Sequence, residues 1–194
     1  MRILSLCDYT GNMLKPWAEA GHECVAVDIA QDKVGLRDGI NYMRLDLSGD
    51  LSGDLSGEFD LIFAFPPCTD LAASGARWWL SKGLSATIEA LSLVDICRKL
   101  CEQATKGWMI ENPVGRLSSA WRKPDYTFDP CDYGDPYTKK TCLWTGGQFV
   151  MPPKARVEPT LGSKMHTMPA SKDRQRLRSE TPMGFARAVY EANK

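Results

Sequence analysis

Hydrophobic residues fall along the chain in short, nearly unbroken blocks set between polar turns, the pattern expected of buried strands. Ile3–Leu6 is the first block, and the turn-forming residues Asp8, Thr10, Gly11 and Asn12 follow it. Met13–Ala20 reads as a helix stopped by Gly21, and Cys24–Val27 as a second strand ending in Asp28. Strand, polar loop, helix, strand and terminal acid form the opening unit of a doubly wound sheet. Phe59–Phe65 predicts another buried strand, halted by Pro66 and Pro67. The clearest helix is Ser85–Lys106: Leu93, Ile96, Cys97, Leu100, Cys101 and Ala104 share one face, and Gly107 is a plausible stop. Trp108–Ile110 is the next strand and runs into Glu111-Asn112-Pro113. A last helix is expected over Pro182–Ala192, with Thr181 as N-cap and Pro182 in the first turn.

Two stretches break this rhythm. Residues 47–57 repeat Leu-Ser-Gly-Asp, which reads as a slack surface loop. Residues 143–180 lack long periodic segments, and five of the twelve prolines lie there or just beyond. They read as an irregular, partly extended insert rather than a second domain. The chain of 194 residues suits one α/β domain over 1–194, built on a doubly wound, mostly parallel sheet.

Charge changes the picture only locally. Net charge is zero, but residues 1–60 hold eleven acids against five bases, and residues 151–180 hold seven bases against three acids. The basic C-terminal stretch suits a polyanion, or simply a solvated face. Met1–Leu6 is followed at once by Cys7-Asp8, which is no signal peptide, and no apolar run approaches membrane-spanning length. Seven cysteines at irregular spacing then imply free thiols in a reducing, cytoplasmic setting. Cys97 and Cys101 lie on the apolar helix face and read as core. His22 and His166, the two histidines, lie in loop-like contexts, so no metal site is expected.

The polar residues just beyond the strand ends carry the chemistry, since open parallel sheets bind ligands at that edge. Asp28 can accept hydrogen bonds from both ribose hydroxyls of a nucleoside, and Gly11 lets the backbone approach one closely; a capping acid and a turn glycine are the plain alternatives. Pro66 and Pro67 hold Cys68 in a rigid turn after a strand, where a thiolate can be stabilised by N–H dipoles. Glu111, after the next strand, shares that edge as a proton donor. Trp78 and Trp79 either flank an extruded base or pack.

The order of these pieces resembles the DNA cytosine-C5 methyltransferases. Pro67-Cys68 and Glu111-Asn112-Pro113 match that family's Pro-Cys and Glu-Asn-Val segments. Asp132-Tyr133-Gly134-Asp135-Pro136-Tyr137-Thr138-Lys139-Lys140-Thr141 is similar to its Asp-Tyr-Gly-x-Pro-Gln-x-Arg-x-Arg segment. Thr181-Pro182-Met183-Gly184-Phe185-Ala186-Arg187-Ala188 is similar to the late segment that returns to the cofactor. The resemblance covers about residues 1–145 and 175–192. It implies methyl transfer from S-adenosylmethionine to C5 of cytosine in DNA, duplex DNA foremost, through a Cys68–C6 adduct. Glu111 would contact N3, and Lys139 a phosphate or the cytosine carbonyl. The implied cofactor contacts are Cys7, Asp8, Thr10, Gly11, Asp28, Ile29, Asp46, Phe65, Pro67 and Ala186. The implied substrate contacts are Asn112, Lys164, Arg174, Arg176 and Arg178.

The chain also departs from the family. Its glycine-rich first loop is thinned to Cys7-Asp8-Tyr9-Thr10-Gly11, Pro113 replaces the usual valine, and Tyr137, Lys139 and Thr141 stand for Gln and two Arg. Only about Leu143–Arg178 fills the place of a target-recognition domain. That implies short or relaxed sequence specificity, a helper subunit, or a smaller substrate. The alternatives are cytosine modification in a free nucleotide, RNA or single strand, and a non-catalytic nucleic-acid-binding relative.

Overall fold

The computed structural model describes residues 1–49, 55–163 and 178–194. Its strands are β1 (Arg2–Leu6), β2 (Glu23–Asp28), β3 (Gly35–Arg37), β4 (Ile40–Arg44), β5 (Leu61–Ala64), β6 (Gly107–Pro113), β7 (Tyr126–Phe128) and β8 (Thr141–Gly147). They form one sheet in the order β3-β4-β2-β1-β5-β6-β8-β7. β4, β2, β1, β5 and β6 run parallel, whereas β3 pairs antiparallel with β4, β8 with β6, and β7 with β8. The chain thus winds outward from β1 in both directions, which puts the switch point between β1 and β5. The doubly wound, mostly parallel α/β fold is as expected.

The hydrophobic blocks follow from this arrangement. Side chains alternate across a strand, and both faces of this sheet are covered. Ile3, Phe63 and Met109 face one core with Trp17, Phe185 and Val189, from helices α1 (Lys15–Glu19) and α4 (Met183–Asn193). Leu4, Leu6, Ile62 and Ile110 face the other, with Val94, Cys97 and Cys101 of α2 (Trp79–Cys101). With both faces buried the runs are nearly continuous, and the one polar residue inside β1, Ser5, is buried with its hydroxyl on Asp8. α3 (Leu117–Ala120) is a short helix between β6 and β7.

Several boundaries differ from expectation. α2 breaks at Gly83 (φ 77°, ψ −179°), and regular helix resumes near the expected Ser85. It ends at Cys101, not Lys106, because the Thr105 and Lys106 N–H groups leave the helix to donate to the Phe59 and Asp60 carbonyls, both at 2.9 Å. The N-cap of α4 is Pro182 rather than Thr181, whose side chain makes no cap. Residues 143–147 are not irregular: Leu143 (0% exposed) and Trp144 (1%) lie in β8, deep in the sheet, so the irregular stretch begins after Gly147. Residues 50–54, inside the tetrapeptide repeat, and His166 lie outside the described residues. All seven cysteines are free. Among the described residues no helix is long and apolar enough to cross a membrane, and no group of His, Cys, Asp and Glu is arranged to hold a metal.

Candidate active site

One rim is built from the loops after β1, β2 and β4. Cys7 takes a left-handed conformation (φ 55°) and turns the chain sharply out of β1. Its thiol engages Cys97 of α2; that bond, then burial, pushes its pKa well up. Asp8 points inward, where it accepts hydrogen bonds from Ser5 Oγ (2.8 Å), Thr10 Oγ1 (3.1 Å) and the Gly11 N–H (2.8 Å). Its carboxylate therefore shapes the loop, and burial raises its pKa despite those donors. A Cβ at Gly11 (φ +66°) would meet Tyr42 Oη at 2.5 Å. Tyr42 in turn donates to the Thr10 carbonyl at 3.2 Å.

Asp28 stands at the end of β2. Its Oδ1 accepts from the Ala30 N–H at 2.8 Å, burial raises its pKa, and Oδ2 has no partner among the described residues. Beside it Ile29 is 59% exposed. Asp46 is exposed in a turn, where Oδ1 accepts from the Ser48 N–H at 2.9 Å. A carboxylate with a free oxygen beside an open aliphatic face fits a nucleoside: the acid for a ribose diol, Ile29 for a flat ring. Phe65 is half-buried and Pro67 exposed, while Ala186 is wholly buried and serves the core.

The second rim is built from the loops after β5 and β6, which are clamped together. Asn112, fully buried, donates from Nδ2 to the Pro66 carbonyl at 3.0 Å. The Ala73 N–H donates to the Val114 carbonyl (2.9 Å), and the Arg116 N–H to the Leu71 carbonyl (2.8 Å). Between them a Cβ at Gly115 would lie 2.0 Å from the Leu71 oxygen, so only glycine fits there. The clamped loop carries Cys68, whose carbonyl caps the following turn by accepting from the N–H groups of Leu71 and Ala72.

Glu111 and Lys139 complete the group. Lys139 Nζ lies 3.9 Å from Glu111 Oε1, and the side chains are only 15% and 16% exposed. The Lys139 N–H donates to Asp129 Oδ1 at 2.9 Å, which fixes the backbone there. Burial raises the Glu111 pKa, and Lys139 and a hydrogen bond with Thr141 oppose the rise. Burial and the Glu111 charge also push the Cys68 thiol above its usual range, while Lys139 and Arg178 pull it back. Alkylation of Cys68 by iodoacetamide, located by mass spectrometry, should therefore accelerate with pH and remain unsaturated at pH 9.0. In Lys139→Met the profile should move higher, since the opposing cation is gone; a downward move would contradict this electrostatic arrangement.

The remaining segments converge on the same place. The Gly184 N–H donates to Asp135 Oδ2 at 3.0 Å, and a Cβ at Gly184 would meet the Tyr133 carbonyl oxygen at 2.0 Å. Asn12 Nδ2 donates to the Thr181 carbonyl at 3.3 Å, tying the first loop to the C-terminal segment. Glu111, Lys139, Phe65 and Phe128 line a cavity of about 10 Å³ whose other wall is Ser179–Pro182 and Phe185. That space holds about one water molecule. Lys164, Arg174 and Arg176 lie outside the described residues. Asp129 and Gly115 are not singled out by the sequence, and Thr141 is noted there only as the residue in place of an arginine.

No protein-family profile matches the chain, and no curated protein matches it. Among solved structures, the chain is similar to an E. coli protein encoded within a prophage that carries the name of a DNA modification methyltransferase. Identity is 15% and the TM-score 0.53, over 88% of this chain and 56% of that one. The chain thus spans little more than half the length of this structural neighbour. The shared architecture is a Rossmann-like α/β fold.

Proposed function

We propose that the protein transfers a methyl group from S-adenosylmethionine to C5 of cytosine in DNA, with Cys68 as nucleophile. The observation that carries this reading is the meeting of a thiol, a carboxyl and an ammonium at the ends of β5, β6 and β8, with Glu111 and Lys139 3.9 Å apart. C5 of cytosine is a poor nucleophile while the ring is aromatic. Addition of the Cys68 thiolate to C6 pushes the C5–C6 electron pair toward N3, where protonated Glu111 delivers a proton, and C5 gains enamine character. Burial raises the Glu111 pKa, the direction a proton donor needs, and Lys139 and Thr141 oppose the rise. Lys139 balances negative charge as the thiolate forms. S-adenosylmethionine, held by Asp28 and Ile29, supplies the electrophilic sulfonium methyl that the activated C5 accepts. Glu111 recovers its proton from N3, the C5 proton passes to solvent water, and its electron pair re-forms the C5–C6 double bond as the Cys68 thiolate leaves C6. In duplex DNA the base must leave the stack to reach the thiol.

The test is incubation with methyl-labelled S-adenosylmethionine and, in separate reactions, duplex DNA, single-stranded DNA, RNA and dCMP. Label recovered as 5-methylcytosine from DNA is the expected result, and label confined to dCMP would sink the proposal. Asp28→Ala should weaken S-adenosylmethionine binding about 10²-fold or more, as expected for two lost charge-assisted hydrogen bonds at about 1.5 kcal/mol or more each. Calorimetric titration checks this; unchanged affinity would remove Asp28 from the cofactor site.

A further inference from the structure

Trp78 and Trp79 are neighbours in sequence with different surroundings. The Trp79 ring is covered by the Arg116 guanidinium, 3.7 Å from its centroid, and its buried Nε1 has no partner, so Trp79 is a packing residue. Trp78 is 54% exposed, with the Arg77 guanidinium 5.0 Å from its centroid. It ends the 3₁₀ turn Ala73–Trp78, which starts at the clamp beside Asn112: Ala72 bridges to Gly115, and the Ala73 N–H is held by Val114. A 3₁₀ turn rises about 2 Å per residue, so Trp78 stands roughly 12 Å along from that clamp. The chain beyond it is open and apolar, with Leu80 95% and Leu84 74% exposed.

We propose that Trp78, backed by Arg77, is a base-stacking platform for nucleotides flanking the modified cytosine, so that the substrate is a polynucleotide rather than a single nucleotide. This rests on the reading of Cys68 and Glu111 as a cytosine-modifying pair. The same clamped loop carries Cys68, ten residues before Trp78 in sequence, so the platform and the proposed nucleophile stand on one continuous segment. Every base offers a π-face, so stacking on an aromatic ring is tolerant of sequence, and an arginine against the ring adds cation–π attraction. Such a grip suits a chain with only a short segment in place of a recognition domain.

The test compares wild type with Trp78→Ala, Trp78→Phe and Trp79→Ala in the full chain. It measures affinity for mixed-sequence duplex and single-stranded oligonucleotides, methyl transfer to them, S-adenosylmethionine affinity and melting temperature. Trp78→Ala should weaken oligonucleotide binding about tenfold or more, appearing in KM rather than kcat, with cofactor affinity and melting temperature unchanged. Trp78→Phe should recover most of the loss, whereas Trp79→Ala should lower the melting temperature. DNA methylated and bound equally by wild type and Trp78→Ala would overturn the platform and leave the methyl-transfer reading standing. DNA bound by wild type and released by Trp78→Ala, without methyl transfer by either, would keep the platform and remove that reading. Failure of wild type to bind any oligonucleotide overturns the platform as well.

Discussion

Cys68→Ser is expected to lower methyl transfer to DNA by at least about 10³-fold, as loss of a covalent nucleophile does elsewhere. A serine hydroxyl is not ionised near neutral pH, so no anion is available to add at C6 and C5 stays aromatic and inert. Affinity for S-adenosylmethionine should persist, because Asp28 and Ile29 sit on the other rim, at the end of β2. The swap is nearly isosteric at a half-buried position, so stability should change by less than about 1 kcal/mol. A second readout isolates the covalent step. A duplex carrying 5-fluorocytosine should trap wild type as a denaturation-resistant adduct, since fluorine at C5 cannot leave as a proton does. The serine variant should form none. Transfer by Cys68→Ser at the wild-type rate would refute the nucleophile assignment whatever the substrate.

What the sequence makes legible divides along physical lines. β1, β2, β5 and β6 stand out because both their faces are buried, which leaves few polar interruptions such as Ser5. β4 was not recognised: Ile40 and Tyr42 are buried but alternate with exposed Asn41, and the strand lies near the sheet edge beside short β3. β8 was misread because Lys139-Lys140 before it and Gly146-Gly147 within it look like loop, although its middle is buried. Cys68 and Glu111 were legible because strand order alone brings the ends of β5 and β6 together. Lys139 rested on resemblance, and the structure brings it to Glu111. The inward turn of Asp8 was not legible, since it follows from the left-handed backbone at Cys7. Nor was the role of Thr141, which reads as a lost arginine but hydrogen-bonds Glu111.

Gly115→Ala should be the next most damaging change after loss of the thiol, through position rather than chemistry. The added methyl group would lie 2.0 Å from the Leu71 carbonyl oxygen, 2.8 Å from its carbon and 2.9 Å from Ala72 Cα. All three are backbone atoms, so no side chain can swing aside. The two loops must part, and they part at the hydrogen bonds that hold the Cys68 loop, from Arg116 to Leu71 and from Ala73 to Val114. Overpacking of this kind costs about 1–3 kcal/mol of stability. The larger effect is on the reaction, because a shift of about 1 Å in a reacting group can cost about 10²-fold in rate. The expected result is therefore a fall in kcat of about 10²-fold, with cofactor affinity retained and a lower melting temperature. Burial and the Glu111 charge now raise the Cys68 thiol's pKa, so a loop displaced toward solvent should also alkylate at lower pH than wild type. That readout separates displacement of the nucleophile from simple destabilisation: a variant with reduced melting temperature but unaltered kcat and alkylation profile would show that the clamp at Gly115 serves the fold alone.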